Sequence, residues 1–192
     1  MAHDPGTLPA DLPVPVDDGA ARHLLGAKFP EMELQSTTGE KVTLSRLSTN
    51  SPIVLFIYPR TGRPGIDPPT GWDEIPGARG CTPEACSFRD LADEFRARGV
   101  VLFGLSTQDS AYQQEAVERL RLPYPLLSDE HLELLKTGNF PAFDVDGMTL
   151  FKRMTLVLRE GRIARVLYPV FPPDRAADQA LAAVTELLAE SS

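Results

Sequence analysis

Two cysteines, Cys81 and Cys86, stand in the segment Gly80-Cys81-Thr82-Pro83-Glu84-Ala85-Cys86-Ser87-Phe88-Arg89-Asp90. Downstream, Phe88, Leu91, Ala92 and Phe95 fall at the offsets of an amphipathic helix. Pro83 suits that helix's first turn, and Gly99 ends it. Cys81 therefore sits at a helix start, where the first N–H groups have no partners and the dipole is positive. Such a position favours a thiolate over a thiol, and cysteines there can titrate several units below about 8.5. Arg60, Arg63, Arg79 and Arg89 are near in sequence and would add to the effect. Asp67, Asp73 and Glu74 would oppose it.

Cys86 follows five positions later. On a regular helix, Cα atoms five apart are about 8–9 Å from each other and point about 140° apart. A disulfide needs Cα atoms within about 7 Å. The two thiols therefore bond only if the first turns unwind. That suits a cycle with a conformational step between reaction at Cys81 and exchange with Cys86. Cys86 also admits a plainer reading as a small buried apolar residue.

The elements that must position this pair are visible as apolar runs. Residues 53–58, IVLFIY, read as a strand buried on both faces. Before it, Phe29, Met32 and Leu34 alternate, Gly39 supplies a turn, and KVTL reads as a short strand with Ser45 placed to cap the turn that follows. Pro59 to Pro83 holds six prolines and five glycines in 25 residues. This is a loop longer than compact domains usually carry, and such loops are commonly functional or mobile. A strand is predicted over 100–106 and a helix over 109–121. A short strand precedes Ser128, and a short helix covers 129–136. RMTLVL and RIARVLY form a hairpin around residues 159–162, and a last helix spans 174–190. The order is a hairpin, then β-α-β-α-β-α, then β-β-α, which predicts a mixed sheet with helices on both faces. Residues 1–22, with Pro5, Pro9, Pro13 and Pro15, read as an extended arm, flexible or wrapped on the surface.

Composition narrows the function classes. The chain has 192 residues, 42% hydrophobic and 24% charged, ordinary for one globular domain plus extras. Its formal net charge is −8 and its pI about 4.9, which argues against binding nucleic acid or an anionic membrane. Two cysteines are too few for a secreted disulfide framework, and His3, His23 and His131 show no ligand spacing, so no metal site is expected. Neither a signal peptide nor an 18-residue apolar run is visible. A cytoplasmic location is expected, where thiols stay reduced and a surviving disulfide is more often catalytic.

GCTPEACSFRD resembles the active-site segment of the peroxiredoxins, in particular the bacterioferritin comigratory protein (PrxQ) subgroup of the AhpC/TSA family. Colinear blocks from about residue 24 to 190 extend the resemblance: FPEMELQSTTGEKVTLSRL, IVLFIYP, VVLFGLSTQDS, PLLSDEHLELL and FKRMTLVLREGRIARVLYPV. It implies an α/β thioredoxin-like fold, a central mixed sheet flanked by helices with an N-terminal β-hairpin, over residues 23–192. It implies a thiol-dependent peroxidase in which Cys81 matches the peroxidatic cysteine and Cys86 the resolving one. Arg153 matches the arginine that stabilises thiolate and peroxide, and Glu84 an acidic residue of the motif. Hydrogen peroxide and organic hydroperoxides as substrates, a thioredoxin-like dithiol reductant and a monomer are implied, with no metal, flavin or nucleotide. Two departures stand out. Ala78 takes the place of the usual threonine or serine three residues before the cysteine, leaving Thr61 and Thr82 as candidate hydroxyls. The loop over 59–80 is also much longer than is usual in that family.

Two other classes compete. A thioredoxin-like disulfide oxidoreductase or redox sensor would favour CxxC spacing, which is absent here. A non-catalytic binding module would use the long loop as its surface. Trp72 in that loop either packs down on it or covers the site, and His131 reads as a surface residue.

Overall fold

A computed structural model describes residues 4–190; the first three residues of the arm, with His3, and residues 191–192 lie outside it. The sheet is built around β3 (Ile53–Ile57), every residue of which is buried. An uninterrupted apolar strand requires cover on both faces, and side chains alternate between the two. Val54, Phe56 and Tyr58 point into one core, with Phe88, Phe95 and Val184. Ile53, Leu55 and Ile57 point into the other, with Phe29, Phe103 and Phe151.

The seven strands run β2 (Lys41–Val42), β1 (Leu34–Ser36), β5 (Leu126–Ser128), β4 (Val101–Ser106), β3, β8 (Met154–Arg159) and β9 (Arg162–Leu167). β3 is parallel to β4 and antiparallel to β8. The first core is covered by α2 (Cys81–Asp90), α3 (Ala92–Ala97) and α6 (Ala176–Ala189), with flanking residues of α4 (Ser110–Leu120). The second lies under α1 (Leu44–Leu47), α5 (Glu133–Gly138) and the segment from Ala21 to Leu34. Stacked rings fill the first core. Phe56 and Phe88 lie 4.4 Å apart and 9° from parallel, and Tyr124 meets Phe56 edge-on at 5.6 Å. Gly104 makes this possible: a Cβ there would sit 2.6 Å from Phe56 Cζ and 2.5 Å from Leu126 Cδ2.

Several boundaries differ from the sequence expectation. The helix expected from Cys81 to Gly99 is two helices, because Leu91 leaves helical geometry at φ −103° and ψ 8°. The helix expected at 129–136 begins at Glu133, because the Asp129 carboxylate accepts from the Leu134 and Leu135 N–H groups at 2.9 Å. Ser45 lies inside α1 and caps nothing; the N-cap position belongs to Thr43. An unforeseen hairpin, β6 (Ala142–Val145) and β7 (Met148–Phe151), forms its own small sheet. Its turn is Asp146-Gly147, both at positive φ, a strong hairpin signal.

The long loop carries only one 3-10 turn, Trp72–Glu74. It packs on the β6–β7 hairpin: Trp72 and Ala78 are buried with Leu150, and the Trp72 ring lies 6.2 Å from Phe143. The arm wraps back over the domain. Arg79 Nη2 donates to the Asp4 and Thr7 carbonyls at 3.1 and 3.2 Å. Asp18 accepts from Lys152 Nζ at 2.7 Å and from the Tyr168 hydroxyl at 2.8 Å. Those two donors hold the Asp18 carboxyl well below the usual carboxylate range.

Candidate active site

Cys81 is the first residue of α2 and only 4% exposed. The residue before it, Gly80, has φ 104°. A side chain there would also meet Pro173 Cγ at 2.4 Å and Leu8 Cδ2 at 2.9 Å, so glycine is required on both counts.

Arg153 lies 72 positions away in sequence and reaches the same point through sheet pairing. β8 runs antiparallel to β3 with Met154 opposite Ile57, which sets Arg153 beside the chain leaving β3. Its guanidinium is fully committed. Nε donates to the Gly77 carbonyl at 3.2 Å, and Nη2 to the Ala78 and Arg79 carbonyls at 3.1 Å each. Nη2 also lies 3.2 Å from Cys81 Sγ. Nη1 pairs with the Glu84 carboxylate, one helical turn after Cys81. Three loop carbonyls, a carboxyl and a thiol thus converge on one buried cation.

The electrostatics differ from the expectation based on the helix start. Burial pushes the Cys81 thiol above its ordinary value; the Arg153 charge pulls the other way, as does the backbone N–H of Arg60, while Glu84 adds to the rise. Desolvation, which penalises a thiolate in a dry site, outweighs the positive groups near Cys81. Glu84, 0% exposed, is likewise pushed up by burial, to about 7, against the pull of Arg153. One guanidinium therefore faces two acids, and ionising either makes ionising the other harder.

Cys86 is half-buried on the same intact helix, and both cysteines are free thiols. Burial raises the Cys86 thiol, with Arg89 and Arg119 opposing.

A cavity of about 30 Å³ opens in front of Cys81. Of the four arginines near in sequence, Arg60, Arg63 and Arg79 line it. Arg89 instead pairs with Asp90 and donates to the Leu120 carbonyl at 3.0 Å. Of the acids, Asp67 lines the cavity, whereas Asp73 is bound to Arg79 at 2.9 Å. The two candidate hydroxyls separate as well. Thr61 is held by Gln108 Oε1 through its N–H at 2.8 Å and its hydroxyl at 3.2 Å. Thr82 lines the cavity, and its buried hydroxyl has no partner. Trp72 both packs on the hairpin and forms a wall of the cavity. His131, with its side chain 79% exposed, lies on the surface.

Sequence reasoning missed three contributors: the Arg60 N–H near the thiol, the Gln108 clamp on Thr61, and Tyr124, whose hydroxyl donates to the Ala85 carbonyl at 2.6 Å. The place of Arg60, two residues beyond the buried run, was the available signal. Gln108 and Tyr124 gave none, because they arrive through the packing of other elements.

The parallel pair β3 and β4 is thus joined through a helix that begins at a buried cysteine under an arginine. Comparison with known proteins gives the family. Residues 24–183 match the family model described as Redoxin. The chloroplastic peroxiredoxin Q of Suaeda salsa is 32% identical over 157 residues, covering 81% of this chain and 65% of that protein. The chloroplastic peroxiredoxin Q of Oryza sativa subsp. japonica is 34% identical over 143 residues, covering 74% of this chain and 58% of that protein. The crystal structure of peroxidoxin BcpB from Mycobacterium tuberculosis superposes with a TM-score of 0.68 at 32% identity, covering 84% of this chain and 96% of that one. The chain belongs to the redoxin (AhpC/TSA) family, as a peroxiredoxin Q-like member with a thioredoxin-like fold. It spans about three fifths of the length of those two plant relatives. Among the described residues, no helix is long and apolar enough to cross a membrane.

Proposed function

We propose that this chain is a thiol peroxidase of the peroxiredoxin Q type, with residues 23–192 as its catalytic domain, 59–80 as an insertion beside the active site and 1–22 as an N-terminal arm whose residues from Asp4 onward wrap over it. Cys81 is the peroxidatic cysteine. Its thiolate attacks one peroxide oxygen, the O–O bond breaks, and the departing oxygen takes a proton to leave as water or an alcohol. Cys81 is thereby oxidised to the sulfenic acid. Arg153 Nη2 and the Arg60 N–H are the donors placed to stabilise charge developing at this point. A guanidinium suits the task, since it stays charged and offers several donors.

Cys86 is the resolving cysteine. Its thiolate attacks the sulfenic sulfur, a disulfide forms and the sulfenic oxygen leaves as water. Both residues lie on α2, so the start of that helix must unwind first. The Cys81–Cys86 disulfide returns to two thiols by exchange with a dithiol reductant of the thioredoxin type. A reducing compartment such as the cytoplasm fits this cycle, and a single copy of the chain contains every residue it uses.

One observation carries the reading: Cys81 Sγ, nearly dry, lies 3.2 Å from the guanidinium of Arg153, with a second thiol five residues on. An oxidoreductase acting on folded proteins would need an accessible thiol, which the 4% exposure of Cys81 does not offer. The test is steady-state peroxide consumption coupled to thioredoxin, thioredoxin reductase and NADPH. C81S is expected to reduce turnover to background. R153A is expected to lower kcat/KM by about 10²–10³, the range for losing one charge-stabilising donor. Turnover that survives in C81S would overturn the assignment.

A further inference from the structure

We infer that the insertion and the arm together make the Cys81 site selective for the smallest peroxide, hydrogen peroxide, against hydroperoxides bearing a bulky organic group. The inference rests on the peroxidase reading above and concerns which substrate reaches the same thiol. The cavity in front of Cys81 measures about 30 Å³, and on a water-sized measure a cavity needs roughly 10–15 Å³ to hold one water. That leaves room beside the thiol for the two oxygen atoms of hydrogen peroxide, so an aromatic or branched tail would have to lie at the mouth, among the residues of the insertion and the arm.

The apolar walls are Pro5 from the arm and Ile66, Pro68, Pro69 and Trp72 from the insertion. These walls are held by contacts of their own. Trp72 is 6% exposed and wedged against the β6–β7 hairpin. Thr61, at the entry to the insertion, is clamped by Gln108 from both its N–H and its hydroxyl. Arg63 lies 4.0 Å above the Tyr112 ring centroid and 3.5 Å from the Glu115 carboxylate. Arg79 holds the arm through two of its carbonyls and the insertion through Asp73. A larger hydroperoxide would have to seat its organic group at this mouth, against the Trp72 ring and the arm that these contacts hold in place. The remaining lining includes Arg60, Arg63, Arg79 and Asp67. These groups suit a small hydrogen-bonding solute and would be desolvated against a hydrocarbon tail, at a cost in free energy.

The experiment compares kcat/KM for hydrogen peroxide and cumene hydroperoxide in the full chain and in two variants. The unmodified chain is expected to favour hydrogen peroxide by about 100-fold, within the range that pocket size alone can supply. Trp72→Ala is expected to raise the ratio of kcat/KM for cumene hydroperoxide to that for hydrogen peroxide about tenfold. Ile66 is 55% exposed, so Ile66→Ala should fold normally and shift the ratio in the same direction by a smaller factor. Equal kcat/KM for the two peroxides in the unmodified chain would overturn the inference and leave the peroxidase assignment standing. Absence of turnover with either peroxide would overturn the assignment itself.

Discussion

The two walls around Cys81 are built on opposite principles. Behind the thiol lie regular elements: β3, α2 and α6 enclose a dry core of stacked rings, and the residues there are close to fully buried. In front lie the insertion and the arm, two stretches with a single 3-10 turn between residues 59 and 80, held by side-chain hydrogen bonds and ion pairs. The rear wall fixes where the sulfur is. The front wall decides what can reach it. Arg153 stands at the seam, bonded to three carbonyls of the front loop and to Glu84 of the rear helix. Precision therefore comes from the sheet, and selectivity from segments that are individually weak.

That contrast can be broken in graded ways. R153A strikes the seam and should cost about 3–5 kcal/mol of stability, because it leaves Glu84 buried without its cation. Urea unfolding would show it, and a loss below about 1 kcal/mol would mean that Glu84, already pushed up to about 7, is accommodated as the neutral acid. Phe88→Ala in the rear wall should cost about 3–5 kcal/mol, since the ring is fully buried against Phe56. In the front wall, Asp18→Ala removes an ion pair whose partners are 36% and 43% exposed, and the loss should stay at or below about 1 kcal/mol. A cost there equal to that of Phe88→Ala would erase the distinction. Hydrogen exchange refines the same point: amides of the insertion and arm should exchange far faster than those of β3.

The pH dependence tests the seam more gently. Glu84 has a folded-state pKa of about 7 against an ordinary value of 4.5. The folded protein therefore holds that proton more tightly than the unfolded chain. The contribution to stability is full below pH 4.5, declines as pH rises toward 7 and is flat above it. Glu84→Gln should remove this slope. A slope that persists unchanged in the variant would assign it to another group.

Much of the frame was legible in the residues. β3 and β4 are nearly continuous apolar runs bounded by proline, glycine and charge, and β8 and β9 are β-rich runs joined by the turn at Glu160-Gly161. β6 and β7 were missed because Asp144 and Thr149 interrupt a short hairpin with polar residues, although Asp146-Gly147 marked its turn. The break at Leu91 has no proline or glycine to announce it. At the site, Cys81 and Arg153 could be named from the sequence, but the effect of burial could not. Desolvation depends on the core that encloses Cys81, which draws on Phe56, Val170 and other residues far along the chain, and such contacts leave no local pattern. The choice between Thr61 and Thr82 was closed for the same reason: Gln108, which takes up Thr61, comes from the segment after β4.

The central claim is that Cys81 reacts first and Cys86 resolves it. Intact mass spectrometry of the reduced protein after one equivalent of hydrogen peroxide tests this most directly. The account predicts rapid loss of two hydrogens, no such change in C81S, and the gain of one oxygen in C86S as the sulfenic acid is trapped. Thiols that oxidise no faster than free cysteine, or a C86S variant that retains the two-hydrogen loss, would contradict it.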